Sequence, residues 1–211
     1  LYDHTSNTVL VYPLYDTYTD SLAQNETHES SMLLHIQSHG TTQQQFSFFN
    51  FPIPSNWTST NKIGEFGIYL ESGDNDNVIF DVFQMTSDVW IENSSYSTLN
   101  SLISSSLVSE QSYENSATDA KLRYIRFSLS ENIIASWLTG NPHSFVLQKN
   151  SPANSSVIHT IYSKEQVQYK PYVVFSGGYV EDEVKPNVEF SDIYMYMVGT
   201  SIISSLVNNV R

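Results

Sequence analysis

Four positions carry the chemistry that reads most directly from this chain. Asn25, Asn56, Asn93 and Asn154 are each followed two residues on by serine or threonine, with no proline between, which is the acceptor pattern for N-linked glycan. Asn, Ser and Thr are common enough here that the number of such sites means little. What favours glycosylation is that all four fall in stretches that read as loops, provided the chain is secreted. His28, His35 and His39 have metal-ligating side chains, but His35 and His39 share a face only if a strand continues to the turn at Gly40, and scattered surface histidines fit the spacing better. The turn Gly73, Asp74, Asn75, Asp76, Asn77 offers oxygen ligands without the spacing or the distal glutamate of a calcium loop. Glu181, Asp182 and Glu183 read as a solvated acidic loop. Glycoside hydrolysis needs two carboxylates held a few ångströms apart in a cleft, which a run of neighbours does not show. Trp57, Trp90 and Trp137 are the residues that would stack on sugar rings, yet Trp90 and Trp137 lie in apolar-periodic stretches where core packing is the plainer reading. There is no Gly-x-Ser-x-Gly, no glycine-rich phosphate loop and no His-Glu-x-x-His, so no catalytic, metal or cofactor residue is assigned.

Composition narrows the partners. The 211 residues carry a formal charge of −13, and only 15% of them are charged. Clustered Lys and Arg, which nucleic acid and anionic membranes require, are missing. Polarity comes from Ser, Thr, Asn, Gln and Tyr; with 14 Tyr, 11 Phe and many β-branched residues the chain favours strands. Without cysteine, disulfide and thiolate chemistry are excluded. The numbering starts at Leu1 with no apolar leader, which reads as a processed product whose signal peptide is gone, and hence as an extracellular or cell-surface protein. Apolar runs are too short or interrupted to span a bilayer; even the C-terminal one is broken by Gly199 and paired serines.

Candidate sites need elements to hold them, and the run that organises these lies near the start: Thr8, Val9, Leu10, Val11, Tyr12, Pro13, Leu14, Tyr15. Val9, Val11 and Tyr15 point one way and Leu10, Tyr12 and Leu14 the other, so the strand must be covered on both faces. Pro13 cannot donate to a ladder and belongs at a strand end or edge. A terminal, doubly apolar strand needs a groove to lie in, either its own or a neighbour's.

Further strands are expected at 32–37, 45–51, 63–70, 77–85, 122–129, 144–148, 157–162 and 172–175, with two more at 188–198 and 202–207. Residues 63–70 and 77–85 read as a hairpin about the acidic turn. The Ser-rich stretch 93–115 reads as a surface excursion with a helical turn in it. One helix is well signalled: Ser130 as N-cap, Glu131 in the first turn, Ile133, Ile134, Trp137 and Leu138 as an apolar stripe, then Gly140 and Pro142 as the stop. About ten strands and one short helix imply an all-β fold, a single β-sandwich of jelly-roll or pilin-like kind.

Several segments, in order, resemble the DNRLRE-type domain, a β-sandwich module of archaeal and bacterial surface proteins related to carbohydrate-binding modules. Leu10-Val11-Tyr12-Pro13-Leu14-Tyr15-Asp16-Thr17-Tyr18-Thr19-Asp20 is similar to its opening strand, and Gln45-Phe46-Ser47-Phe48-Phe49-Asn50-Phe51-Pro52-Ile53-Pro54 to its next element. Val82-Phe83-Gln84-Met85-Thr86-Ser87-Asp88-Val89-Trp90-Ile91-Glu92 resembles its Trp-x-Glu segment, and Tyr162-Ser163-Lys164-Glu165 with Lys170-Pro171-Tyr172-Val173-Val174 its close. The literal motif behind the family name is absent. In overall kind the chain also resembles the archaeal thread pilins, secreted, cysteine-free, glycosylated subunits that polymerise head to tail by donor-strand complementation. That resemblance implies an N-terminal donor strand within 1–15, made of Thr8, Val9, Leu10, Val11, Tyr12, Leu14 and Tyr15, and a head domain over 16–211. The expected function is therefore a structural subunit of a glycosylated surface filament serving adhesion or cell–cell contact, with itself as partner and no enzymatic activity. The alternative is a secreted carbohydrate-binding module that contacts surface glycans. N-linked glycan is the only non-protein group expected.

Overall fold

The computed structural model describes residues 8–39, 43–53, 63–72, 78–113, 123–151 and 154–176. The chain divides after Tyr179, so everything described belongs to the first unit, and the expected strands at 188–198 and 202–207 lie outside it. Eleven strands and two helices follow in order: β1 Thr8–Val11, β2 Tyr15–Asp20, β3 Leu33–His39, β4 Gln43–Asn50, β5 Ile63–Ser72, β6 Val78–Met85, α1 Tyr96–Ser101, β7 Ile103–Tyr113, β8 Arg123–Leu129, α2 Glu131–Leu138, β9 Ser144–Ser151, β10 Asn154–Tyr162 and β11 Tyr172–Ser176. All pairings are antiparallel, in the order β1-β11-β5-β10-β3-β4-β9-β6-β7, with β2 added on β4 and β8 on β5. The fold is all-β, a curled antiparallel sheet.

The curl follows from where the phenylalanines point. On β4 side chains alternate, with Phe46 and Phe48 on one face and Phe49 on the other, and every residue from Gln45 to Asn50 is buried. Phe49 and Phe51 turn toward β5, where the Phe66 ring lies 5.1 Å from Phe49, 5.7 Å from Phe51, 5.6 Å from Phe127 of β8 and 5.6 Å from Phe145 of β9. Strands distant in the sheet order thus meet across one aromatic core. The opposite face of β4 builds a second cluster, in which Phe46, Phe48 and Val146 pack with Met85, Trp90 and Leu99. Such a strand has no exposed side.

Helix α2 forms where the sequence places it. The Ser130 hydroxyl accepts from the Ile133 amide, Ile134 and Trp137 are buried, and Gly140 sits at φ +88°, a left-handed conformation suited to glycine. The helix lies so close to β5 that a Cβ on Gly64 would come within 2.2 Å of Ile134 Cδ1.

Three expectations are corrected. Thr8 to Tyr15 is not one strand: it breaks at Tyr12, Pro13 and Leu14, because proline has neither the N–H nor the free φ to continue a ladder. Residues 63–72 and 78–85 do not form a hairpin with each other. Other strands occupy both sides of each, β8 and β10/β11 beside β5 and β7 and β9 beside β6. The Ser-rich stretch does hold a helical turn, α1, but most of it is the eleven-residue strand β7. That strand ends the sheet and leaves most of its side chains exposed, so Ser, Gln and Glu cost nothing there.

Candidate functional site: the N-terminal edge and its anchor

β1 occupies the end of the strand order. Thr8, Val9, Leu10 and Val11 pair with Ser176, Phe175, Val174 and Val173, and among the described residues no strand lies on the far side of β1. Val11 points inward and is 8% exposed, joining the main core, whereas Leu10 faces outward and is half-buried. The expected burial of both faces is therefore met only on the inner one. Past the break, Pro13 is buried, Leu14 is 52% exposed, and the Leu14 amide donates to the Asn50 carbonyl at 2.7 Å. Tyr12 lies under the Lys170 ammonium, 5.8 Å from its ring centre. Tyr15 already belongs to β2, paired with Asn50 of β4.

Immediately after this break stands a buried polar knot. Asp16, 2% exposed, accepts the Lys164 amide on Oδ2 at 2.6 Å, and its own amide donates to Glu92 Oε1 at 3.2 Å. Lys164 Nζ lies 2.9 Å from Glu92 Oε1 and 2.6 Å from Glu165 Oε1. Burial pushes the Asp16 carboxyl up to about 7, against the lowering effects of the Lys164 N–H and charge. The Lys164 ammonium is held above its usual range by its bonds to Glu165 and Glu92, which outweigh its own desolvation. A second acid, Asp88, fixes the same loop from its other end: Ser144 Oγ donates to it at 2.6 Å, the His143 amide at 3.0 Å, and Asn50 Nδ2 at 3.3 Å. Trp90 Nε1 donates to Ser144 Oγ at 3.0 Å. The segments around 16, 88–92 and 162–165, far apart in sequence, thus meet at one joint between β2, β4 and β9. These residues clamp loops to strands.

The other sites fall as follows. Asn25 and Asn93 are exposed in turns, as glycan acceptors must be, and Asn93 directly precedes α1, whose N-cap is the sequon's own Ser95. Asn154 is not in a loop: it opens β10, where its backbone pairs with His39 of β3. Asn56, Trp57, the acidic turn 73–77 and Glu181, Asp182 and Glu183 lie outside the described residues. His28 and His35 flank one ring, 3.8 Å and 4.3 Å from the centre of Tyr18, and burial lowers both imidazoles. β3 runs on to His39. Among the described residues no three His, Asp or Glu side chains stand together as metal ligands. Trp90 and Trp137 are core residues, 4% and 3% exposed.

The sequence reading passed over the outer face of β5, β8 and β11. Tyr69, Tyr124 and Tyr172 stand there with Glu65 and Arg126, joined by Tyr162 and Tyr169. The available signal was tyrosine at outward positions of several strands, but only the register shows that they meet.

No family model matches the chain, and no curated protein does. A solved structure from Bacteroides thetaiotaomicron, assigned to the glycoside hydrolases, aligns over 82% of this chain and 72% of its own at 8% identity, with a TM-score of 0.22. At that score the likeness carries no argument.

Proposed function

We propose that this chain is a structural subunit that assembles head to tail by exchanging its N-terminal strand, forming a glycosylated filament outside the cell, without catalysis. The fold this implies is a single β-sandwich of jelly-roll kind, in which β2-β4-β9-β6-β7 faces the half built on β8, β5, β10, β11, β3 and β1. The observation that carries the reading is the attachment of β1. Among the described residues it stands at the end of the strand order, is hydrogen-bonded to one neighbour, is paired over four residues, and is separated from the anchored β2 by a proline break. A strand so held can leave its own β11 and fill the same groove of a second copy with identical contacts. Exchange then costs little beyond association itself. The groove left behind would be an unpaired edge with an apolar socket where Val11 sat, which favours refilling. Glycan on exposed Asn25 and Asn93 fits an extracellular polymer, and intact-mass measurement of natively produced protein is expected to show it.

Sedimentation of the full chain tests the assembly. A polymer that Val11→Asp converts to monomer is the expected result, since a carboxylate would enter the socket in every subunit. A stable monomer at all concentrations contradicts it. The second reading, a carbohydrate-binding module, is favoured by the tyrosine face.

A further inference from the structure

We propose that the outer face of β5, β8, β10 and β11 is a binding site for a neutral carbohydrate chain, with the exposed ring of Tyr169 as its main contact. Five rings form an unbroken row across this face. Tyr162 stacks on Tyr169 at 5.7 Å, Tyr169 meets Tyr69 at 5.0 Å, Tyr69 meets Tyr124 at 4.7 Å, and Tyr124 stacks on Tyr172 at 5.4 Å. The strands impose this row, since Tyr69 and Tyr124 are direct partners in the β5–β8 ladder and Tyr172 is opposite Gly67. Part of the row is structural: Tyr124 and Tyr172 lie across Gly67, where a Cβ would fall 2.4 Å from the Tyr172 ring. Packing over a glycine does not account for Tyr69, Tyr162 and Tyr169.

Tyr169 is the informative residue. Its φ is +63°, a left-handed conformation that a side chain disfavours, and it is the only non-glycine residue so held among those described. It is 39% exposed, so core packing does not explain why a tyrosine stands where glycine would fit the backbone better. The backbone there presents a ring to solvent between Tyr162 and Tyr69.

Polar groups line the rings at both ends. The Arg126 guanidinium lies 4.6 Å over the Tyr124 ring and 3.6 Å from Glu65 Oε1, and Glu71 accepts from Thr160 Oγ1 at 2.7 Å. A groove of about 240 Å³, lined by Gln111, Ser112, Tyr113, Tyr124, Ile125 and Arg126, continues the row toward β7. That volume falls below the roughly 300 Å³ at which pockets begin to enclose a whole small molecule, so it suits one ring of a chain lying along the surface. The C–H faces of a pyranose match flat rings, while its hydroxyls match carboxylate, guanidinium and phenol groups. Glu65 and Glu71, on a chain of charge −13, disfavour acidic sugars and phosphorylated ligands. The site is independent of strand exchange, because β1 contributes none of these rings.

Calorimetric titration of the full chain with neutral gluco-, manno- and chito-oligosaccharides, and with an acidic galacturonate oligomer, tests the proposal. At least one neutral oligosaccharide is expected to bind and the acidic one is not. Tyr169→Gly should weaken binding about tenfold or more while the melting temperature holds or rises, because glycine relieves the left-handed backbone. Arg126→Ala, at a side chain 50% exposed, should weaken it without unfolding the chain. The proposal is overturned if no neutral oligosaccharide binds at millimolar concentration, if the acidic oligomer binds better, or if Tyr169→Gly and Arg126→Ala leave affinity unchanged.

Discussion

β1 and β2 are consecutive strands, separated only by Tyr12, Pro13 and Leu14, and they are attached in opposite ways. β1 has four paired residues, one neighbour and one side chain, Val11, known to reach the core. β2 has six paired residues on β4, and Asp16, Thr17 and Thr19 are buried. It is also tied through Asp16 to Lys164 and Glu92, and through Tyr15 to Trp90, 6.1 Å away. The contrast shows that apolar character in a terminal run does not measure how firmly it is held. What holds a strand is the number of other segments that close over it, and Pro13 divides a strand held by one neighbour among the described residues from one held by several segments.

Three perturbations sharpen this contrast. The largest effect belongs on the anchored side. Trp90→Ala removes the ring that packs against Phe48 and Tyr15 and leaves Ser144 without its indole donor, so a loss of about 3–5 kcal/mol in global stability is expected by denaturant unfolding.

The next is a pH dependence. The Asp16 carboxyl is raised to about 7 in the folded chain against an ordinary 3.8, so the folded chain keeps a proton that the unfolded chain releases between those values. Stability from this group is complete below about pH 4, declines as pH rises through 7 and is flat above it, a swing of at most about 4 kcal/mol. Burial raises Asp81 in the same sense, and the lowered His28 and His35 act in the opposite one. The readout is therefore the difference between wild type and Asp16→Asn across pH 4–8, where the asparagine variant should lose this swing.

The smallest effect belongs to the edge. Val11→Ala deletes buried methyl groups worth about 1–2 kcal/mol, and hydrogen exchange at Leu10 and Val11 should accelerate while exchange at Tyr18 does not. If Tyr18 accelerates equally, β1 and β2 open together and the hinge has no meaning.

How much of this was legible depended on the range of the contacts. The strands expected between 32 and 175, the β class and α2 with its Ser130 cap and Gly140 stop are local patterns, and the sequence shows them. Strand β7 was missed because an edge strand with exposed Ser, Gln and Glu lacks the apolar alternation that marks a half-buried one. The hairpin expected between β5 and β6 failed because a turn-like connection does not specify partners when other strands can take both sides. The knot at Asp16 joins residues 148 apart, and the tyrosine row depends on the pairing of Tyr69 with Tyr124 and of Gly67 with Tyr172. Neither is visible in composition; both follow from register.

The most direct test of strand exchange uses the absence of cysteine. Leu10 and Val174 are partners in the β1–β11 ladder, and antiparallel partners sit about 4.5–5.5 Å apart at Cα, within disulfide reach. The double variant Leu10→Cys, Val174→Cys would be assembled, oxidised and run on a denaturing, non-reducing gel. Strand exchange gives a ladder of covalent multimers that collapses to one band on reduction. A single monomer band, its disulfide closed within one chain, would contradict it.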